Sequence, residues 1–338
     1  MKKQFFIGAD VAKLTFDATV LIVIDHVKQP SDTMRFDNNA SGLKAFEKWL
    51  KSLGVTFHVN SILVIENTGI YHRSLWQFCS KKNLPIHIGN AAHIKWSFGI
   101  ARGKNDKIDS IRLANYAYKE KDELQHTPIL NPVIIHLKDM WTARSKIQSQ
   151  LNSMRTYLTE LKGVSDKATH AILEKAHKEA IDGMSRSLKL IETEIKNIIK
   201  ENEELKKNYD LLITVPGIGR WIATYLIGCT CNFAAKISGK QLACYAGVVP
   251  FENTSGTSIK RKPKVHKMAN KELKKLLYMG AMSAVQYNVE FKKYYERKLQ
   301  EGKPFLSVVN AVKNKIILRA AAVVNNQRAY VDNVKLVA

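Results

Sequence analysis

Phe5-Phe6-Ile7-Gly8-Ala9-Asp10-Val11 decides how the chain starts to fold. The run is apolar, too short for a helix, and closes on an acid, so it reads as a buried strand with a carboxylate at its end. From Lys13 to Asp25 the β-branched and aromatic residues continue through Thr19-Val20-Leu21-Ile22-Val23-Ile24, which gives a second, antiparallel strand. Met34-Arg35-Phe36 gives a short third one. Asn39 or Ser41 can cap a helix over Leu43, Phe46, Trp49, Leu50 and Leu53 that stops at Gly54. Ser61-Ile62-Leu63-Val64-Ile65-Glu66 is again a buried strand closed by an acid. Tyr71 to Lys82 reads as a helix and Pro85-Ile86-His87-Ile88 as a last short strand. Strands come first and then alternate with helices, so the segment is an α/β domain. Ligands of such sheets sit at the carboxyl ends of strands, where Asp10 and Glu66 stand.

The next informative stretch is Arg102-Gly103-Lys104-Asn105-Asp106-Lys107-Ile108-Asp109-Ser110-Ile111-Arg112. Helical periodicity follows it, so Asp106 and Asp109 share one helix face with Cβ atoms roughly 5–6 Å apart. Two carboxylates that close repel unless a cation lies between them. A divalent metal with a preference for oxygen, Mg²⁺ or Mn²⁺, fills that role. Taken alone, the pair reads as a solvated helix start favoured by the helix dipole. Together with Asp10 and Glu66 it makes four acids, in the order Asp, Glu, Asp, Asp, able to meet at one point. Asp17 and Asp25 read as structural. This arrangement resembles the RNase H-like superfamily and its RuvC-type resolvases, in which a two-metal cage of carboxylates acts on phosphodiesters.

Composition agrees with a nucleic-acid partner. Lys and Arg outnumber Asp and Glu by 53 to 30, a net charge of +23 over 338 residues. Residues 1–118 carry 16 basic and 9 acidic side chains, 119–235 carry 17 and 15, and 236–338 carry 20 and 6, so the last third is the main electrostatic footprint. The hydrophobic share of 45% is enough for a proper core and excludes a disordered chain. Cys79, Cys229, Cys231 and Cys244 fit no common zinc spacing and read as buried thiols of a reducing compartment. No run reaches the ~18–20 apolar residues of a membrane span, and the N-terminus has no signal-peptide pattern, so a cytoplasmic protein with no membrane partner is expected.

The character changes near His126, where Pro128 and Pro132 mark a linker. Val133 to Leu161 and Lys167 to Tyr209 have helical spacing with charges of both signs on the outer faces. They read as a long antiparallel helical hairpin, either a coiled coil for dimerisation or a plain helical connector. Leu211 to Gly219 then carries Val215-Pro216-Gly217-Ile218-Gly219 before a helix from Trp221 to Cys229, which looks like a helix-hairpin-helix element. Backbone N–H groups at Gly217, Gly219 and Arg220 would face a DNA phosphate there. Lys240 to Pro250 leads into a hydroxyl-rich loop, Phe251 to Ile259, and then Lys260-Arg261-Lys262-Pro263-Lys264-Val265-His266-Lys267. Such a basic loop either grips phosphates with Lys260, Arg261, Lys262, Lys264 and Lys267 or also supports a serine nucleophile, since cations lower the cost of an alkoxide beside phosphorus. Two amphipathic helices, about Asn270–Tyr287 and Pro304–Asn325, close the chain, with Tyr294, Tyr295 and Arg297 between them.

Five motifs, in this order, resemble the DEDD-type insertion-sequence transposases related to the Piv and MooV recombinases, a family guided by a bridge RNA. They are Gly8-Ala9-Asp10-Val11-Ala12-Lys13, Ile65-Glu66 with Thr68, Gly69 and Tyr71, Asn105-Asp106-Lys107-Ile108-Asp109-Ser110, Val215 to Gly219, and Ala246-Gly247-Val248-Val249-Pro250 through Ser255-Gly256. The resemblance implies an RNase H-like, RuvC-like α/β N-terminal domain at 1–125. A helical coiled-coil connector follows at 126–210, and a mainly α C-terminal transposase domain at 211–338. It implies that Asp10, Glu66, Asp106 and Asp109 hold Mg²⁺, with Mn²⁺ as the alternative. It further implies that Ser255 attacks DNA to form a covalent phosphoserine link, Thr254 and Ser258 being its near neighbours. The implied partners are donor and target DNA, a structured guide RNA, and further copies of the chain in a dimer or tetramer at the bacterial nucleoid. Asn105 and Ser110 depart from the Thr and Ala frequent there. The rival expectations are a metal-dependent Holliday-junction resolvase acting by hydrolysis, which needs no serine, and a non-enzymatic nucleic-acid-binding protein.

Overall fold

The computed structural model describes residues 3–58, 60–67, 69–98, 105–129, 131–255, 259–266 and 269–331, and only the backbone of 253–255 and 259–262. The chain divides into two compact units, Met1–Leu130 and Asn131–Ala338. Each is described by itself.

The first unit is a mixed sheet with helices on both faces. Strand β1 (Lys3–Val11) runs antiparallel to β2 (Thr15–Ile24), whose outer edge carries β3 (Val27–Lys28) and β4 (Asp32–Asp37). Asp25 and His26 turn β2 into β3 with φ values of 46° and 70°, as a tight two-residue hairpin requires. Helix α1 (Ala40–Ser52), capped by Asn39, leads to β5 (Ser61–Glu66), which lies parallel to β1 on its other side. Helix α2 (Arg73–Lys82) returns the chain to β6 (Ile86–Gly89), parallel to β5, and α3 (Ala91–Ser97) and α4 (Asp106–Lys119) follow. The strand order β3-β2-β1-β5-β6 has an antiparallel edge and a parallel core, as an RNase H-like domain does.

Strand alternation assigns the faces. Phe16, Phe36, Phe46 and Phe78 meet ring to ring beneath α1 and α2. On the opposite face, Phe6, Leu21 and Val64 pack under Leu113, Ala114 and Ala117 of α4. Gly8 is what lets α4 lie so close. A Cβ there would stand 2.2 Å from the Ala114 nitrogen and 2.3 Å from the Ser110 oxygen. The buried hydroxyls of Thr19 and Ser110, 2.7 Å apart, pin the same turn of α4 to β2.

The second unit begins with α5 (Pro132–Leu161) and α6 (Lys167–Glu201). They form the expected antiparallel hairpin, tied by Arg144 to Glu192 and by His170 to the Leu158 carbonyl. A sustained coiled-coil seam is not seen within the chain, because no residue from Asn152 to Glu194 is buried. The expected single helix from Lys167 to Tyr209 breaks at Asn202, which caps α7 (Glu203–Ile213) by accepting from the Leu205 amide. Helices α8 (Arg220–Cys229) and α9 (Gly239–Tyr245) follow, then strands β7 (Pro250–Ser255) and β8 (Ile259–Val265), and finally α10 (Lys271–Tyr287), α11 (Val289–Gln300) and α12 (Phe305–Asn325). Ile134, Leu137, Ile195, Ile198 and Ile199 at the base of the hairpin share one core with Leu212, Ile222, Leu277 and Ile316. The stretch read as a separate connector at 126–210 is thus continuous with the fold that follows, and the division falls after Leu130. Cys244 is exposed, against the expectation of buried thiols. No helix among the described residues is long and apolar enough to cross a membrane.

Candidate functional site

Strand parity brings the predicted acids to one corner of the first unit. Phe6, Gly8 and Asp10 share a face of β1, the face that α4 covers. Ala9 pairs with Ile65 in parallel register, so the next step sets Asp10 beside Glu66 at the carboxyl ends of two adjacent strands, on one face. Asp17 pairs across from Asp10 on β2 and shares its face with Thr19, which bonds to α4. The N-terminus of α4 overlies the same corner. Asn105 caps it by accepting from the Ile108 amide at 2.7 Å, which sets Asp106 and Asp109 in the first turn.

The electrostatics report the same convergence. Asp10 has its pKa pushed up to about 6, first by burial and then by the charges of Asp106, Asp109, Glu66 and Asp17. A carboxyl held that way gains from a nearby cation, since the cation restores its ionised form. Two guanidinium groups already serve the α4 acids. Arg35 on β4 donates to Asp17 at 2.7 Å and to Asp106 at 3.0 Å, and Arg112 donates to Asp109 at 2.8 Å. With those pairs formed, no group of three or more His, Cys, Asp or Glu side chains among the described residues stands close enough to hold a metal ion. The corner is therefore a set of electrostatic neighbours. Its donors are all carboxylate oxygens, which suit Mg²⁺ or Mn²⁺ and not a soft metal.

Asp17, read from sequence as structural, proves to be part of this network: it is nearly buried and joins Asp106 through Arg35. The signal was present in its spacing, two residues before Thr19 and four before Leu21 on one strand face. Arg35 could be found only from the β2–β4 register, where it lies opposite Asp17. Arg112 was legible as an i, i+3 partner of Asp109.

The second unit carries the other predicted residues. Ser255 is the last residue of β7 and pairs with Ile259, so the stretch read as a hydroxyl-rich loop and basic segment is largely a two-stranded antiparallel hairpin. Lys260, Arg261 and Lys262 lie on β8 by backbone, and Lys264 is exposed. The side chains of Thr254, Ser255, Lys260, Arg261 and Lys262, and all of Ser258 and Lys267, lie outside the described residues. Gly217 turns inward: with φ at 86°, a Cβ on it would meet the Gly280 oxygen at 2.7 Å and Ile316 at 2.8 Å. Gly217 thus fits α7 and α8 closely against α10 and α12. Gly219 and Arg220 are exposed, Gly219 with open space where a side chain would go.

A mixed sheet of this order, with four acids in the sequence Asp, Glu, Asp, Asp gathered at one corner, defines a DEDD-type transposase domain on an RNase H-like fold. Residues 7–161 match the model of the DEDD transposases of the IS110 group, described as "Transposase", and residues 209–296 match the model described as "Transposase IS116/IS110/IS902 family". The chain is 30% identical over 333 residues to the pilin gene-inverting proteins of Moraxella bovis and of Moraxella lacunata, across 96% of this chain and 97% of each relative. The chain belongs to the IS110 family of transposases and is a DNA recombinase. A DEDD domain of this kind depends on a divalent metal. These findings do not favour the resolvase alternative.

Proposed function

We propose that this transposase cuts and rejoins donor and target DNA through a covalent serine–DNA intermediate, with Ser255 as nucleophile and a structured guide RNA choosing the sites. Asp10, Glu66, Asp106 and Asp109 would hold Mg²⁺, or Mn²⁺, which supplies Lewis-acid stabilisation of charge on the scissile phosphate. The observation that carries the reading is the electrostatic convergence on Asp10: burial and four surrounding carboxylates push its pKa up to about 6.

The chain's own residues divide the work. The four carboxylates would concentrate negative charge at one corner, and release of Asp106 by Arg35 and of Asp109 by Arg112 would free two of them for a cation. On the hairpin, the Ser255 hydroxyl would attack phosphorus. Its proton passes to a base, the P–O bond to the leaving 3′ oxygen breaks, and a phosphoserine ester forms. A later 3′ hydroxyl attacks that ester and releases the serine, so each bond broken is replaced and no external energy source is required. Inversion of a gene, the activity named for the Moraxella relatives, ends with joined DNA, and a covalent ester supports that outcome where hydrolysis does not. Lys260, Arg261, Lys262, Lys264 and Lys267 would hold phosphates beside the serine, with Gly217, Gly219 and Arg220 as a further backbone contact. Assembly into a dimer or tetramer is supported by the hairpin's outer half, where Val164 and Ile172 are exposed.

The test is a covalent-adduct assay with Mg²⁺, guide RNA and labelled donor and target DNA on a denaturing gel. A band at protein-plus-DNA mass is expected from the native chain and from Thr254→Ala and Ser258→Ala, and none from Ser255→Ala. An adduct that survives Ser255→Ala but not one of the other two moves the nucleophile to that residue. Cleaved DNA with no adduct from any chain would overturn the covalent mechanism.

A further inference from the structure

The second unit holds a half-open cleft of about 290 Å³ between α6, α7 and the start of α8, at the base of the helical hairpin. It lies within one compact unit and involves neither the acidic corner nor the β7–β8 hairpin. Its floor is apolar, formed by Ile195 and Ile199, and two aromatic rings, Tyr209 and Trp221, stand in its wall. Its rim is cationic: Lys196, Lys200, Lys206 and Arg220 all line it.

The charges are unbalanced in one direction. Of the two acids in the lining, Glu192 is bonded to Arg144 and Asp210 to Lys206. Lys196, Lys200 and Arg220 meet no carboxylate within ion-pair distance among the described residues. Arg220 lies over the Trp221 ring, 4.8 Å from its centroid, and its charge also bears on the Tyr209 hydroxyl. Trp221 is also held by Arg144, at 3.8 Å from its centroid, and by a T-shaped contact with Trp141. The ring is held in place before any ligand arrives.

An apolar slot with ordered aromatic faces and a ring of unmatched cations has a specific complement. The ligand must be flat and unsaturated, it must carry negative charge beside its flat part, and it must be small enough to enter singly. A bare phosphate leaves the rings unused, and an apolar molecule leaves the cations unused. A duplex cannot enter, because its bases are stacked on one another. We propose that this cleft binds one unpaired nucleotide of a nucleic-acid strand, its base against the Tyr209 ring or the Arg220 guanidinium, and its flanking phosphates on Lys196 and Lys200. The inference rests on the nucleic-acid reading of the protein but not on the serine or the acidic corner. An unpaired nucleotide can come from a loop of a guide RNA or from DNA melted during strand exchange, and the chemistry is common to both.

The test measures fluorescence anisotropy of the full chain at one fixed salt concentration, with labelled oligouridine, labelled oligothymidine and a blunt duplex, each about 12 nucleotides long. Tyr209→Leu and the double variant Lys196→Ala/Lys200→Ala are compared with the native chain, and Tyr209→Phe is the variant that keeps the ring. We expect Tyr209→Leu to weaken single-strand binding roughly 10-fold, Tyr209→Phe to retain it, and duplex binding to change less than about 2-fold in all three. Tighter binding of oligouridine would assign the site to RNA, and tighter binding of oligothymidine to melted DNA; both support it. Equal loss of duplex and single-strand binding, or no loss in either variant, would overturn the proposal while leaving the recombinase reading in place. Failure to bind any of the three probes would overturn this proposal and the phosphate grip proposed for the basic hairpin. Thermal unfolding of each variant separates loss of the site from loss of the fold.

Discussion

The acidic corner of the first unit and the β7–β8 hairpin of the second carry their chemistry in opposite ways. Asp10, Glu66 and Asp17 stand on core strands whose registers are fixed by neighbours on both sides, and Asp106 and Asp109 stand on a helix fitted against Gly8. Ser255 ends one strand of a two-stranded ribbon that belongs to no larger sheet. An isolated two-stranded ribbon gains little stability of its own from strand pairing. On the reading proposed above, the difference teaches which half of the reaction is built in advance: charge is prepositioned by the core, whereas the proposed attacking group stands on a separate ribbon.

That contrast can be broken first at Asp10. Asp10→Asn should lower strand cleavage about 10³-fold while the chain stays folded, because it removes one carboxylate from the corner and nothing from the core. Cleavage with labelled donor DNA, alongside circular dichroism, checks it. Gly8→Ala attacks the same corner from behind. It has no functional atom to lose, yet should cost about 2–3 kcal/mol of stability, read by urea unfolding, since the added methyl meets the backbone of α4.

A smaller effect tests the corner's charge. In metal-free buffer, Asp10 in the folded chain keeps its proton up to about pH 6, whereas an unfolded Asp releases it near 3.8. The native state binds more protons between those values, so stability should fall as pH rises through that window and stay lower above it. Asp10→Asn should remove the slope, a gain of about 1–2 kcal/mol at pH 7, reduced from the full value of the shift because the carboxyl is only half buried. Added Mg²⁺ should flatten the native profile in the same direction. The smallest effect is expected at Gly219. Gly219→Ala should change stability by less than about 0.5 kcal/mol, since its Cβ would point into open space, whereas Gly217→Ala two residues earlier should cost several times that.

Much of this was legible in the sequence. The runs Phe5–Val11 and Ser61–Glu66 are both apolar, both short and both end on acids, so strands and carboxyl ends follow from periodicity alone. Asn105 with Asp106 and Asp109 announces a helix start, and α5 begins and ends within a residue of its predicted bounds. What escaped depends on pairing between distant segments. Arg35 and Asp17 are 18 positions apart and meet only through cross-strand register, which no local pattern encodes. Helix α11 was missed because it is short and rich in charged residues, and only Phe291 is fully buried. The β7–β8 hairpin read as loop because Pro263 and four basic residues are poor strand formers, and two strands can pair in spite of that. The close packing of Gly217 was not legible, because its neighbours Gly280 and Ile316 lie more than 60 residues away in the chain.

The notch at Gly8 has a mechanical consequence. With the Ser110 turn seated against β1 and locked to Thr19, α4 cannot slide along the sheet; it can only rock about that seat, like a beam on a fulcrum. Asp106 lies four residues out, a lever arm of about 6 Å. A tilt of about 10° would carry that end by about 1 Å. A shift of that size away from Arg35 would stretch their 3.0 Å contact to about 4 Å and break the hydrogen bond.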